Sequence, residues 1–356
     1  MRKLKNNTIK ISTTILVIIL LPISFLTVNQ IQETSNNNPI FISAFIEHQA
    51  INITDDSEFS VFPGTGTSDD PFLIDGYNIT TTSLVGIKIT GTTKYFIISN
   101  CYIDTLGYGI FLDSISNGTA TITNNTCINN FWDGIYLSSS HNNTVSGNNC
   151  TNNGGSIHLS SSHNNTLSGN TCINSYVGIG LDSSYNNTVN GNNCTDNGHG
   201  ISMNGSNNNT ISGNNCTNNN WDGIELHDSN FNLIIENILL DNEDYGVYIS
   251  SSSFNYIYDN LFFNNNLGGT SQGYDDGTNN CWYDDVNLRG NYWNEWPGEG
   301  TYSIDGSANS IDLYPLDEEG NPPIISEFSY INTLILSIFL CLFSIPIFLK
   351  KRRIIT

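Results

Sequence analysis

Positive charge is scarce in this chain of 356 residues, which has 11 Lys and Arg against 33 Asp and Glu. Arg2, Lys3, Lys5 and Lys10 sit at one tip and Lys350, Lys351, Arg352 and Arg353 at the other, leaving Lys88, Lys94 and Arg289 for everything between. A surface that acidic repels nucleic acid and anionic lipid, so no nucleic-acid partner is expected. It attracts divalent cations or keeps an exposed protein soluble, and calcium is the ion to consider. Methionine is nearly missing too: Met1 and Met203 are the only two. There is neither a Met-rich nor a His-rich tract of the kind that handles copper. Helical periodicity is also lacking. Apolar residues alternate with polar ones, as in Gly134-Ile135-Tyr136-Leu137 and Gly223-Ile224-Glu225-Leu226, which is the period of a strand and argues against helical solenoids.

What the sequence has instead is a repeat. NNTVSGNNCTNN, NNTLSGNTCINS, NNTVNGNNCTDN and NNTISGNNCTNN begin at Asn142, Asn164, Asn186 and Asn208, 22 residues apart each time. A strict short period builds a stack in which each unit touches only its neighbours. Asn and Gly occupy the gaps between short apolar runs, so each unit reads as two or three short strands joined by tight bends, one coil of a parallel β-helix. Looser copies extend it: Asn237 and Asn260 follow Asn214 at spacings of 23, and Asn125 and Asn100 precede Asn148 at 23 and 25. Extra residues belong in the bends, because one added inside a strand would flip every later side chain. The expected stack has roughly eight to ten coils.

Cys127, Cys150, Cys172, Cys194 and Cys216 ride this register at spacings of 23, 22, 22 and 22. In-register neighbours keep Cβ atoms about 4.8 Å apart, whereas a disulfide prefers about 3.8 Å. Leu239 and Phe262 fill the same slot later, so the slot reads as a buried apolar ladder of free thiols. Cys101 is off this register, and Cys281 and Cys341 lie beyond it. Asn125, Asn148, Asn170, Asn192, Asn214, Asn237 and Asn260 form a second ladder, whose stacked amides bond one another and the turn backbone.

The Asn-rich coils, PGTGTSDDPFLIDGYNI from Pro63, YFIISNCYI from Tyr95, GNYWNEW from Gly290 and IDLYPL from Ile311 resemble the NosD-type right-handed β-helix family, with its PbH1 repeats. That family is part of the carbohydrate-binding and sugar-hydrolase β-helices, which include pectate-lyase-like proteins. The resemblance runs from about Asp55 to Leu316. It implies an all-β, right-handed parallel β-helix. It leaves function open among lyases, hydrolases, epimerases, adhesins and periplasmic copper-site maturation.

The ends imply a location. Residues 1–28, with an apolar stretch at 15–26 behind four basic residues, read as a signal peptide or an uncleaved signal anchor, since no A-x-A site is visible. Residues 330–349 carry no charge, and a helix of that length spans about 30 Å, the hydrocarbon thickness of a bilayer. The basic residues that follow stay in the cytoplasm by the positive-inside rule, which puts the coils outside the cell or in the periplasm. The expected organisation is 29–54 linker or N-terminal cap, 55–280 coils, 281–317 C-terminal cap, 318–329 linker, 330–349 transmembrane helix and 350–356 basic tail. Twelve glycosylation sequons between the two hydrophobic segments, among them Asn142, Asn164, Asn186 and Asn208, make a glycoprotein chemically feasible.

If Ile157 and Leu159 point inward, His158 points outward, and its equivalents are Tyr136, Gly180, Ser202, Glu225 and Tyr248. Two positions on come Ser138, Ser160, Asp182, Asn204, His227 and Ser250. His158, Asp182, Glu225 and His227 therefore share one face within about three coil steps, on the order of 15 Å. They are the candidates for acid and base chemistry, sugar binding or a metal. Further metal candidates are His141 and His163, stacked at a bend, and Asp275, Asp276, Asp284 and Asp285 near the C-terminal end. That last stretch also reads as a cap, with Trp282, Trp293 and Trp296 closing the open core. Gly198-His199-Gly200 resembles the GHG element of polygalacturonases, but the NTD, Asp-Asp and Arg-x-Lys elements of that family are missing, as is the YGFDPHD pattern of alginate epimerases. The expected function is a membrane-anchored extracellular β-helix that binds polysaccharide or envelope glycans without turnover. The alternatives are a polysaccharide lyase or glycoside hydrolase, and copper handling.

Overall fold

Left-handed backbone recurs at fixed places in every coil and explains the Asn, Gly and Ser between the strands. Gly147, Gly169, Gly191 and Gly213 turn one corner and Asn152, Asn174, Asp196 and Asn218 another, all with φ between 53° and 64°. Gly, Asn and Asp enter this region at least cost, so their recurrence sets the corners of the coil. The computed structural model describes residues 45–116 and 118–321. The segments 1–28 and 330–349, expected to meet a membrane, lie outside the described residues. Among the described residues no helix is long and apolar enough to cross one.

Each coil contributes one strand to each of three parallel sheets, of 11, 10 and 9 strands, giving about nine complete turns. In a central coil the longest strand is Asp133–Ser138, followed by Thr144–Ser146 and Asn149–Thr151 before Gly155–Ser160 begins the next. Register is strict. Tyr136 pairs with His158, His158 with Gly180, Gly180 with Ser202, Ser202 with Glu225 and Glu225 with Tyr248. Coiling begins earlier than Asp55: Ile46–Glu47 and Ile51–Ile53 already pair in parallel with Tyr77–Thr80 and Val85–Thr90. A short 3-10 helix, Asp56–Val61, then places Phe59 on Phe72, with ring centroids 4.9 Å apart.

Inside run continuous columns. Ile110, Ile135, Ile157, Ile179, Ile201 and Ile224 stack in register in the 10-stranded sheet, which has the longest strands, all within 1% of full burial. In another sheet Cys127, Cys150, Cys172, Cys194 and Cys216 pair in sequence and continue into Leu239, Phe262 and Trp293. Every cysteine among the described residues is a free thiol. The slot grows from thiol to indole toward the C-terminal end, where Trp293 stacks on Phe262 at 4.0 Å and Tyr302 on Trp293 at 4.0 Å. These rings close the apolar column.

The bends hold three amide ladders, of which sequence spacing revealed one. In the first, Asn148 Nδ2 donates to Asn170 Oδ1 and to the Ile122 carbonyl, each at 3.0 Å, while the Asn148 amide donates to the same Oδ1. This satisfies buried backbone and side chain together. The ladder runs on to Asn260 and Asn291, and the Asn291 amide ends on Asp312 at 2.7 Å. A second runs through Asn130, Asn153, Ser175, Asn197, Asn219, Asn242 and Asn265 to Gln272. A third runs through Asn143, Asn165, Asn187, Asn209, Asn232 and Asn255 to Asn280, which donates to Asp275. Upstream of Asn125 the register differs by one residue from the spacing of 25 that makes Asn100 the next copy, because Thr126 pairs with Tyr102 and Asn125 therefore stands over Cys101. Asn100 takes the left-handed corner, with φ of 52°, and the amide of Cys101 donates to Asn125 Oδ1 at 3.0 Å.

Candidate functional site

The 10-stranded sheet faces outward with three columns of side chains, and its central coils form a groove. The floor follows from where glycine sits. Gly180 stands in the column of His158, and a Cβ there would lie 3.3 Å from His158 Cδ2, so the bare backbone leaves room for the imidazole to lie across the next coil. His158 Nε2 thereby reaches Asp182 at 3.0 Å, while Nδ1 lies 3.8 Å from Asp133. Gly155 does the same for Asp133, whose Oδ1 would be 2.2 Å from a Cβ at that position.

A second imidazole repeats the arrangement. His199 Nδ1 lies 3.5 Å from Asp222 and Nε2 lies 3.6 Å from Glu225, whose other contact is a 2.7 Å hydrogen bond from Ser202. His199 Nδ1 is buried and makes no hydrogen bond. Burial opposes the charge on His158, but the nearby Asp133 carboxylate, the hydrogen bond to Asp182 and the charges of both outweigh it and hold the imidazole up to about 9. The same balance, burial against Asp222 and then Glu225, raises His199. Burial also lifts Asp222 above the ordinary carboxylate value, against the pull of His199.

Aromatic walls flank both histidines, and insertions in the bends build them. Gly154, Tyr176 and Gly198 each stand alone between the second amide ladder and the following long strand. In the coils on either side two residues fill that gap, Phe131 with Trp132 and Asn220 with Trp221. Gly107 and Gly198 admit the indoles: a Cβ would lie 3.0 Å from Trp132 at the first and 2.7 Å from Trp221 at the second. Tyr108, Trp132, Asp133, His158, Tyr176 and Asp182 line a hollow of about 480 Å³. Tyr176, His199, Trp221, Asp222, Glu225 and Tyr245 line one of about 490 Å³. Tyr176 belongs to both, so the two are halves of one groove.

Of the four residues expected on this face, His158 and Asp182 meet directly and Glu225 joins the second half. His227 stands beside Asp228 at 3.1 Å, largely exposed and lining neither hollow. Sequence alternation missed Asp133, His199 and Asp222, because each enters its strand one step before the buried glycine that interrupts the alternation. The extra bend residue, visible as spacings of 23 in a rhythm of 22, was the available signal.

The other metal candidates have partners of their own. His141 and His163 stack at 4.8 Å, and each Nδ1 accepts a backbone N–H at 3.0 Å, from His163 and Tyr185. Asp275 is fully buried and accepts from the Gly277 amide, Asn280, Trp282 Nε1 and Ser310. Asp276 accepts from the Ser251 amide, and Asp284 closes a local turn with Val286 and Asn287. Asp285 lies beside that turn in the sequence.

His199, Asp222 and Glu225 are the one set of three among the described residues with ligand atoms mutually within 4.8 Å. Imidazole and carboxylate suit zinc or harder cations. Among the described residues Met203 and the five ladder cysteines, whose sulfur favours copper(I), are fully buried, while Cys281 is part-exposed. As placed, His199 offers one nitrogen to each carboxylate, so the ring bridges them and does not share a single ion with both.

Two family models match: "Periplasmic copper-binding protein (NosD)" over residues 132–298 and "Right handed beta helix region" over residues 30–192. Among solved structures, the chain is similar to the periplasmic alginate epimerase AlgG, with 20% identity and a TM-score of 0.50 over 59% of this chain and 58% of that one. It is also similar to the enzymatically active domain of bacteriophage CBA120 tailspike protein 2, with 12% identity and a TM-score of 0.50 over 75% of this chain and 47% of that one. Comparison with curated protein sequences found no match. The chain thus spans a little over half the length of the epimerase. At these identities the likeness is one of fold.

Proposed function

We propose, from the premise that this chain belongs to the NosD-type right-handed parallel β-helix family, that its groove binds a glycan without turning it over. The observation that carries this reading is the aromatic wall. Trp132 and Trp221, placed by glycines and by one-residue insertions, stand with Tyr176 along a floor of acid–imidazole pairs. Flat apolar rings beside a few convergent polar groups are what a sugar ring needs, one face for stacking and an edge for hydrogen bonds. Two carboxylates hold each histidine, leaving neither imidazole free to accept a proton as a base would.

The chain's ends support a membrane-tethered protein with its coils outside the cytoplasm. The uncharged run at 330–349 followed by Lys350, Lys351, Arg352 and Arg353 is the pattern of a span with a cytoplasmic tail. A second reading, a lyase or hydrolase acting in the same groove, draws on His158. Its imidazole, held up to about 9, carries a proton at neutral pH and has the character of a general acid.

The test is to incubate the full-length chain with neutral, acidic and amine-bearing polysaccharides, with and without calcium, scoring retention and newly formed chain ends. Retention without new ends supports binding. New ends that disappear in His158→Ala or Glu225→Ala establish the enzyme. Absence of both for every glycan contradicts the two readings together.

A further inference from the structure

The charge of the groove says which glycans it takes. Its lining includes Asp133, Asp182, Asp222, Glu225 and Asp244, and its cationic groups are the two imidazoles of His158 and His199. No Lys or Arg lines either half. The nearest lysine along the column, Lys88, lies three strands below His158 with its Nζ 5.9 Å from the ring centroid of Phe111. Even with both histidines protonated the carboxylates are in excess. A polymer of uronates would bring its own carboxylates against them, in a groove where apolar walls strengthen the repulsion.

The aromatic rings point the same way. Tyr176 packs edge-on to Trp221 at 5.1 Å, Trp221 lies 4.9 Å from the His199 ring, and Tyr245 closes the other side beside Asp222, Glu225 and Asp244. Aromatic rings lining a hollow edged by carboxylates offer an ammonium both ring quadrupoles and anionic oxygens. The buried Nδ1 of His199 makes no hydrogen bond, and on a protonated ring it is a donor left for a sugar hydroxyl to accept. The first half repeats the design with Trp132 and Tyr108 beside Asp133 and Asp182. The two halves are about two coil steps apart, on the order of 10 Å, so successive sugars of one chain reach both.

We infer that the glycan bound in this groove carries free amino groups: a cationic hexosamine polymer and not a uronate. The inference rests on the glycan-binding reading and narrows it. Hydrogen bonds from ammonium to Asp222, Glu225 and Asp244, with the sugar face on Trp221 or Tyr176, pair the carboxylates of this half with cationic donors.

The experiment measures the affinity of the full-length chain for short glucosamine oligomers, their N-acetylated counterparts and oligogalacturonate, by calorimetry at mildly acidic pH where the amines are charged. Short oligomers are used because the whole surface is acidic. The expected result is binding of the amine-bearing oligomer at least about tenfold tighter than the acetylated one, with a preference that shrinks as salt rises. In Asp222→Asn with Glu225→Gln that preference disappears while the acetylated oligomer still binds. Asp244→Asn, at an exposed position, lowers the preference without touching buried structure and serves if the double variant fails to fold. Equal or tighter binding of the acetylated or uronate oligomer overturns the inference and leaves the glycan reading standing. A preference that survives all these substitutions also overturns it, placing the amine elsewhere on the surface. Failure of every glycan to bind removes both.

Discussion

His158 lies across the bare backbone of Gly180, its partner in the sheet register, and so brings Nε2 to 3.0 Å from Asp182. The contact exists because one residue is missing a side chain. With Asp133 on its other nitrogen, the ring is held as a cation, up to about 9 against an ordinary 6.5. A raised folded-state value stabilises the fold fully below the unfolded value, and the stabilisation is lost as pH rises through the folded one. The unfolding midpoint is therefore expected to fall between pH 6.5 and about 9. In His158→Gln this part of the fall disappears. Gly180→Val pushes the ring off its seat, and an NMR titration of the His158 ring then reads a value moved back toward 6.5.

The amide ladders predict a sharp contrast between neighbouring asparagines. Asn192 is buried, accepts the Asn170 amide at 2.9 Å and donates to Asn214 and the Leu167 carbonyl. Asn192→Ala leaves several of these groups unpaired and is expected to cost about 2–4 kcal/mol in denaturant unfolding, at about 1–3 kcal/mol per orphaned group. Asn193→Ala, at the adjacent outward position, is expected to stay within about 0.5 kcal/mol.

The cysteine ladder is expected to be chemically silent. Burial drives the Cys172 thiol far above its ordinary value, and the five ladder thiols are fully enclosed. Thiolate is the reactive form, so native protein should label at none of Cys127, Cys150, Cys172, Cys194 and Cys216, and all five should label in denaturant. Rapid labelling of any of the five in the native state would show that the coils open there.

The repeat made these columns readable before any coordinates. A period of 22 fixes the coil, and Leu239 and Phe262 taking the cysteine slot identify that slot as core. The two further amide ladders were not readable in the same way, because Asn is also the residue that left-handed corners select. Nothing in composition separates Asn153, buried in a ladder, from Asn152, which turns the corner beside it. The upstream repeat spacing through Asn100 is off by one for the same reason, since Asn100 turns the corner and the Cys101 amide donates to Asn125. The groove was half readable. His158 and Asp182 follow from strand alternation, whereas His199 and Asp222 precede the glycine that breaks it, and only coordinates show Gly198 and Gly107 making space for Trp221 and Trp132.

Two fully buried carboxylates, Asp275 and Asp312, hold the C-terminal cap, and each accepts from an indole. Asp275 is fully buried and receives four donors, from Gly277, Asn280, Trp282 and Ser310. Removing it orphans these donors beneath the stacked indoles. Asp275→Ala is expected to destabilise by about 3–5 kcal/mol, read as a lowered unfolding temperature. With all its oxygens engaged by protein donors, adding or chelating calcium should leave that temperature unchanged.

The groove between Trp132 and Trp221 is the central claim, and the affinity of the full-length chain carrying Trp132→Ala and Trp221→Ala for its best-bound oligosaccharide tests it most directly. Each indole is a large anchor at the wall of a pocket, and loss of both should weaken binding by well over about tenfold while the unfolding temperature stays close to that of the parent. Unchanged affinity in the folded double variant would contradict the account and put the glycan on another face of the coil.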